Sequence, residues 1–468
     1  MNAALILKRY LKRQILYSIR TLQIKKYRLK LIQPSQIVDN RLKKFKKSFA
    51  PGRTLSYIAA LTPSDFEVSI LDETLEDIDF DEIVDLIGLT SLINQLPRAI
   101  QIAKEYKRRE VKVIIGGVAA SALRHEVSTY FDSIIVGEVE NMWNNILNDF
   151  KNGHLQKIYI SNEKPTLEEI PYPKFELLPL ERYLRPRLGF SRSKWPRIPI
   201  ETSRGCPHNC SFCCVSSYFG KQMRFRPIKE IIQEIERFPG AFIIFTDDNI
   251  AANPKRAKEL FRELVPLKIR WFGQFTMLAG NDEELIQLAG ESGCLLAFLG
   301  VESILQESLA SVRKNFNVVE NYPRVFKVFD DAGILVNPSI IFGFDEDNLQ
   351  LIDETIDLLI GQKIPLMVQW ILTPVPGSEL YSQLEQDKRI LHKDYSKYDG
   401  THVVFKPKQM TAYELEEKFW ETFQRFYSIS STITRLSKHL DSFLFLLERN
   451  LFYRNMVRNK VHPYSGGI

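Results

Sequence analysis

The sequence predicts an α/β chain built as two consecutive parallel-sheet units with a helical segment after them, and three observations carry that expectation. Between Tyr27 and about Tyr159, short apolar runs alternate with amphipathic stretches. The alternation stops in a proline-rich stretch and restarts at Arg197 with six apolar, β-rich runs, each followed by a helical pattern. Past Pro374 the text turns irregular and then helical.

In the first unit, "RLKLIQP", "FEVSILDE", "IVDLIGLTS", "VKVIIGGV" and "SIIVGEVE" read as buried strands, and "RTLSYIAALTP" and "LPRAIQIAKEYKRR" show helical spacing. Strands separated by helices imply a doubly wound parallel sheet. Gly116, Gly117 and Gly137 fall just past strand ends, where such sheets open their ligand crevice. The irregular stretch from Ile160 to about Lys194 reads as an interdomain linker.

In the second unit the strands are "RIPIET", "AFIIFT", "IRWFGQF", "CLLAFLG", "ILVNPSIIF" and "LMVQWIL". Six strand–helix alternations imply a parallel barrel or most of one, with chemistry at the carboxyl ends of the strands. The expected units are therefore 1–26, a basic amphipathic extension; 27–159, the doubly wound domain; 160–196, the linker; 197–380, the barrel; and 381–468, a helical covering domain. A chain of 468 residues exceeds what one core usually organises.

Composition narrows the class. The chain is 44% hydrophobic and 26% charged, with a net charge of +6 concentrated at the start, where no acidic residue precedes Asp39. No apolar run reaches the ~20 residues of a spanning helix, and basic residues interrupt each apolar stretch of the first segment, against a secretory signal. The chain reads as cytoplasmic, and the basic, aliphatic extension suits contact with an anionic membrane surface. Little aromatic interleaving argues against nucleic acid.

Four of the five cysteines lie within nine residues, in "RGCPHNCSFCCV" just after the first strand of the second unit. Such neighbours cannot form a distributed disulfide framework, so the cluster points to a reducing compartment and a metal. Cys206, Cys210 and Cys213 have a C-x-x-x-C-x-x-C spacing. Three thiolates on one loop can hold three irons of a cubane and leave the fourth iron open. The alternative is zinc, with Cys214 and His208 nearby, but structural zinc sites usually pair two cysteine-bearing arms and no second arm follows. Cys214 reads as a neighbour, and Cys294, beginning a strand, as a small apolar residue.

This loop, in this position, resembles the signature of the radical S-adenosylmethionine (radical SAM) superfamily, whose fold is a partial (β/α)6 barrel. The resemblance implies a 4Fe-4S cluster on Cys206, Cys210 and Cys213, S-adenosylmethionine chelated at the open iron, an external electron donor and a deoxyadenosyl radical. It also implies S-adenosylmethionine contacts at Phe212 in the loop, Asp247 and Asp248 after the second strand, Gln274 ending the third, Gly300 and Glu302 ending the fourth and Gly343 ending the fifth. Each of these positions also suits an ordinary strand-to-helix turn or helix cap. "TPVPGSELY", from Thr373 to Tyr381, matches a stretch common after the last barrel strand.

A Rossmann-like doubly wound domain ahead of such a barrel resembles the cobalamin-binding subclass. The likeness places cobalamin above Ser91, Gly116 and Gly117. The D-x-H-x-x-G stretch that gives many cobalamin proteins an axial histidine is absent, and His125 reads as a solvated histidine rather than a ligand. "DYSKYDGTHVVFKPK" and the helix after it resemble a C-terminal domain of one branch of these enzymes, with Tyr395, Tyr398, Asp399 and His402 as candidates to cap the barrel. The function implied is methylation of an unactivated carbon in a small apolar or lipid-like substrate. Radical carbon-carbon bond formation, cyclisation or rearrangement is the alternative, and a non-catalytic cluster or corrinoid sensor is the alternative of another class.

Overall fold

In a computed structural model, residues 26–183 and 195–464 are described. The basic extension lies almost wholly outside them, as do residues 184–194 of the linker. Two six-stranded parallel sheets organise the chain. The first contains β1 (Tyr27–Gln33), β2 (Phe66–Asp72), β3 (Leu86–Thr90), β4 (Lys112–Gly116), β5 (Ser133–Val136) and β6 (Ile158–Ile160). Their order across the sheet is β2-β1-β3-β4-β5-β6, and every pairing is parallel. The order reverses between β1 and β3, which is where doubly wound sheets part to admit ligands. β6 lies at the point where the sequence pattern fades into the linker. Three residues are too few to show a period, so pairing with β5 rather than local pattern makes this a strand.

The second sheet contains β7 (Ile198–Ile200), β8 (Phe242–Phe245), β9 (Arg270–Thr276), β10 (Cys294–Glu302), β11 (Leu335–Phe342) and β12 (Val368–Ile371), paired in chain order from β7 to β12. Consecutive parallel pairing needs a helical return after each strand. Those returns are amphipathic helices Ile228–Glu236, Pro254–Leu264, Glu283–Glu291, Tyr322–Asp331 and Leu349–Gly361. Three of them begin on side-chain caps: Asn253 accepts from the Arg256 amide at 3.1 Å, Asp282 from Leu285 at 3.0 Å and Asn348 from Leu351 at 2.9 Å. Each such cap stabilises its helix by about 1 kcal/mol. β7 and β12 do not pair with each other, so the sheet is a curled half-barrel open along one side.

The outward face of this sheet holds the core. Trp271 packs tilted against Phe261 at 5.2 Å, and Phe275 meets Phe329 edge-on at 5.6 Å. Phe272 and Gln274, which alternate with them on β9, therefore face the interior of the half-barrel.

The C-terminal helices Ala412–Phe426, Ile429–Leu436 and Phe443–Arg458 dock beside β12. Tyr427 donates its hydroxyl to Met367 O at 2.6 Å, and the fully buried Arg435 donates to Pro365 O at 2.7 Å. Among the described residues no helix is long and apolar enough to cross a membrane.

Candidate active site

The cysteine loop leaves the carboxyl end of β7. Its base is a two-residue antiparallel ladder in which Ser203 pairs with Phe225 and Arg204 with Arg224. Gly205 follows with φ +94°, and a Cβ there would lie 2.6 Å from Gln222 O, so only glycine makes the turn. The loop is then pinned from two directions: Ser211 donates its amide to Val312 O at 3.1 Å, and Leu380 of the "TPVPGSELY" stretch donates to Ser211 O at 2.9 Å.

Cys206, Cys210, Cys213 and Cys214 are free, half-buried thiols on this one loop. Burial pushes all four thiols up, Cys213 to about 12, while Lys314 pulls Cys206 and Cys210 back down. Thiols held protonated in this way become ligands only by exchanging the proton for a metal. The Val215 amide donates to Cys213 Sγ at 3.4 Å, a contact suited to a thiolate. His208 is stacked on Phe316 at 4.0 Å. Among the described residues no group of three His, Cys, Asp or Glu side chains converges on a single-ion position. The donor set, three free thiols on one pinned loop with no second cysteine arm, fits three irons of a cubane.

The residues expected around S-adenosylmethionine divide into two groups. Asp248, after β8, is half-buried and close enough to Cys206, Cys213 and Cys214 to bear on their titration; burial, then Asp247 and Glu201, pushes its own carboxyl up to about 7. Glu302 ends β10 at φ +67°, a strained conformation for a side-chain-bearing residue, where the register with β11 breaks. One of its oxygens takes the ammonium of the buried Lys314, and the other is buried with no partner among the described residues. Asn317 holds the bend by donating to Gly300 O at 2.9 Å and Val301 O at 3.1 Å. A Cβ on Gly300 would meet Glu302 and Lys314 at 2.8 and 2.9 Å, so this glycine keeps the pair in place. Phe212 faces Phe344 at 6.3 Å.

Two of the expected contacts have other work here. Asp247 is 1% exposed and accepts from the Thr202 amide at 3.1 Å, from the Thr202 hydroxyl at 2.7 Å and from the Ser203 hydroxyl. Its carboxylate fastens β8 to the entry of the cysteine loop instead of offering itself to a ligand. Gly343 has φ +108°, and the space where its Cβ would lie is taken by Leu415 at 2.9 Å and Phe405 at 3.2 Å from the covering segment. Its amide and that of Phe344 donate to Asp347, which burial pushes up to about 6. Gln274 faces inward level with Phe298 and makes no hydrogen bond through its side chain among the described residues.

A cavity of about 540 Å³ separates the two sheets. On one side lie the strand ends of the first sheet, with Ser91, Gly116, Gly117 and Gly137; on the other lie Glu201, Arg204, Ile244 and Thr246 at the barrel mouth. The three residues expected to carry cobalamin all line it. Gly117, at φ +94°, approaches so closely that a Cβ would stand 3.0 Å from Ser91 N and O, and the Ser91 hydroxyl is turned onto Leu92 O at 2.7 Å. The cradle is therefore backbone, which suits a large ligand laid flat across strand ends. His125 is exposed and lies outside the cavity wall. Tyr395 donates to Glu126 at 2.9 Å, hooking the covering segment to the first sheet, and His402 is paired with Asp399 at 3.0 Å. Tyr398 donates to His392 O at 2.8 Å.

Sequence reasoning missed Arg204. Buried beside the cavity, it bridges Glu138 at 2.7 Å and Glu140 from the first sheet to Glu201 at 2.8 Å from the barrel. Arg53 extends the chain of charges to Glu234 at 2.9 Å. Arg204 stands just before Gly205 and Cys206, yet nothing in the local text names its partners. Lys314, twelve residues after Glu302, carries no spacing signal either.

The radical SAM superfamily profile matches residues 200–359. The chain is 31% identical over 392 residues to bacteriochlorophyllide d C-12(1)-methyltransferase of Chlorobaculum tepidum, covering 82% of this chain and 84% of that one. It is 27% identical over 445 residues to the C-8(2)-methyltransferase of the same organism, covering 88% and 97%. In fold it is similar to the radical S-adenosylmethionine methyltransferase TsrM from Kitasatospora setae, solved with cobalamin and a [4Fe-4S] cluster, with a TM-score of 0.58, 17% identity and coverage of 77% and 75%. The cobalamin-dependent radical enzyme OxsB is similar at a TM-score of 0.61, 13% identity and coverage of 93% and 72%. The superfamily profile, the likeness to a relative along four-fifths of the chain and the cysteine loop at the mouth of a half-barrel agree: this protein belongs to the radical SAM superfamily.

Proposed function

We propose that the protein is a cobalamin-dependent radical SAM methylase that acts on an unactivated carbon of a large, apolar small molecule, with a bacteriochlorophyllide-type tetrapyrrole as the first substrate to test. The observation that carries the reading is the cavity that joins the strand ends of the first sheet to the barrel mouth beside the cysteine loop. Cys206, Cys210 and Cys213 would hold the 4Fe-4S cluster. Glu302, Lys314 and Asp248 would hold S-adenosylmethionine, and Ser91, Gly116 and Gly117 would carry cobalamin. When bound, the cluster with S-adenosylmethionine supplies a hydrogen-abstracting radical and cobalamin supplies a methyl carrier. The chain's own part is to set the backbone cradle on the cavity wall and, through Arg204, to hold the first sheet against the base of the cysteine loop. The tetrapyrrole comes from the two Chlorobaculum relatives.

The test is anaerobic reconstitution of the cluster, reduction in the presence of S-adenosylmethionine, cobalamin and bacteriochlorophyllide d, and measurement of deoxyadenosine, S-adenosylhomocysteine and methylated pigment. Both nucleoside products are expected. Deoxyadenosine alone would favour a radical outcome other than methylation, and neither would support a binding protein. Peripheral membrane contact belongs to the same reading. Leu440, in the turn before helix Phe443–Arg458, is 74% exposed, and on that helix Leu444 is 71% exposed, Leu451 and Phe452 are also exposed, and Arg458 is its last residue. Such a face suits the surface of an anionic bilayer, and flotation with phosphatidylglycerol vesicles at low salt tests it.

A further inference from the structure

The inward face of the half-barrel is layered by the strand register. Thr276, Gly300 and Ser339 are lateral neighbours in the layer that holds Glu302's bend. One pleat below, Gln274, Phe298 and Asn337 form the next layer. On β10 the outward residues Ala297, Leu299 and Val301 are fully buried, whereas Phe298 and Gly300 keep part of their surface open to the interior. The second layer is thus a floor beneath the cofactor layer, and it is polar at both ends.

Its far end is completed from the C-terminal segment. His462 stacks on Trp370 at 4.0 Å and reaches Gln369 O through Nε2 at 2.9 Å, while its Nδ1 accepts the Tyr464 amide at 3.2 Å. That anchoring sets the Tyr464 ring edge-on to Phe298 at 6.1 Å, with its hydroxyl on the amide of Asn337. Asn337 is 1% exposed, and among the described residues the other end of its amide, Oδ1, has no partner. A buried polar atom left unpaired in a barrel interior weakens the fold unless something in the chamber meets it.

Resting on the reading of the barrel as the reaction chamber, we propose that Gln274, Phe298 and Tyr464 form a substrate-selecting floor, with Asn337 as the positioning residue for Tyr464. The floor accepts a flat apolar body against Phe298 whose lower edge carries a hydroxyl, a group that can either donate to or accept from the amides. A purely hydrocarbon edge would leave Gln274 and the free oxygen of the Asn337 amide without a partner from the chamber.

The test uses two fluorescent probes of equal shape, 1-pyrenemethanol and 1-methylpyrene, titrated into the full chain carrying its cluster and S-adenosylmethionine. The alcohol is expected to bind about tenfold more tightly than the hydrocarbon, the return of one added hydrogen bond. Asn337→Leu is expected to bring the two affinities within about threefold of each other. Tyr464→Phe, which keeps the ring and its packing, is expected to do the same if Asn337→Leu fails to fold, as judged by circular dichroism and cluster absorption. Equal affinities in the wild type, refusal of both probes, or a ratio unchanged in the variants would each overturn the inference. The nucleoside-product assay is read independently: lost products with an intact tenfold preference would sink the methylase reading alone.

Discussion

Lys314 is ion-paired to Glu302 inside the barrel mouth, and the second oxygen of that carboxylate is buried without a partner among the described residues. An orphaned acceptor at a strained bend is costly in an empty protein and useful in one that binds hydroxyls. Glu302→Gln is therefore expected to weaken S-adenosylmethionine binding about tenfold or more, measured by equilibrium dialysis on the reconstituted enzyme, while leaving the cluster spectrum intact. Lys314→Met leaves a buried charge alone and is expected to lower stability by about 3–5 kcal/mol in denaturant titrations.

Replacing a cluster ligand has a sharper outcome. Cys210→Ala is expected to abolish bound iron, the visible cluster absorption and both nucleoside products together. Cys214→Ala is expected to retain all three, because Cys214 opens the short helix Val215–Tyr218 and lies outside the C-x-x-x-C-x-x-C set. Retained iron in the first variant would defeat the assignment.

Arg204 joins the two sheets next to both proposed cofactor sites. Arg204→Gln removes the shared counter-charge of Glu138, Glu140 and Glu201, all nearly buried, leaving Glu138 with Arg224 and Glu201 with Arg53. The expected loss is about 3–5 kcal/mol of stability, with a lower thermal midpoint and a cobalamin affinity reduced in parallel. A variant as stable as the wild type that binds cobalamin normally would show that the bridge does not hold the cavity together.

His462 makes the C-terminal anchor sensitive to acid. Burial pulls its pKa down to about 4, so the folded protein holds it neutral while the unfolded chain protonates it near 6.5. The linkage gives a stability contribution that is complete above about pH 6.5 and is lost as pH falls toward 4, at about 1.4 kcal/mol per pH unit. Thermal midpoints between pH 7.5 and 5 are expected to fall more steeply in the wild type than in His462→Gln. Parallel profiles would rule out the histidine as a source of acid lability.

Much of this was legible in the sequence because the signals are local. Continuous runs such as "AFIIFT" and "ILVNPSIIF" are strands wherever both faces are covered, and asparagine or aspartate ahead of an amphipathic run caps a helix without tertiary help. The cysteine spacing is likewise complete within one loop. β6 escaped because three residues cannot declare a period.

By itself the sequence determined two parallel sheets, a thiol loop on the functional face of the second and a glycine-lined crevice in the first. Only the tertiary structure decided which polar residues are spent on holding that arrangement and which are left to meet a ligand. Asp247 and Glu302 look alike in the text, each an acid after a barrel strand, yet one is saturated by Thr202 and Ser203 and the other keeps an unpartnered oxygen. Arg204 finds Glu138 across 66 positions, and Asn337 finds Tyr464 across 127. The physical reason is common to all three: strand and turn preferences act over a few residues, whereas the satisfaction of a buried charge or amide depends on which distant segments the topology brings within hydrogen-bond reach.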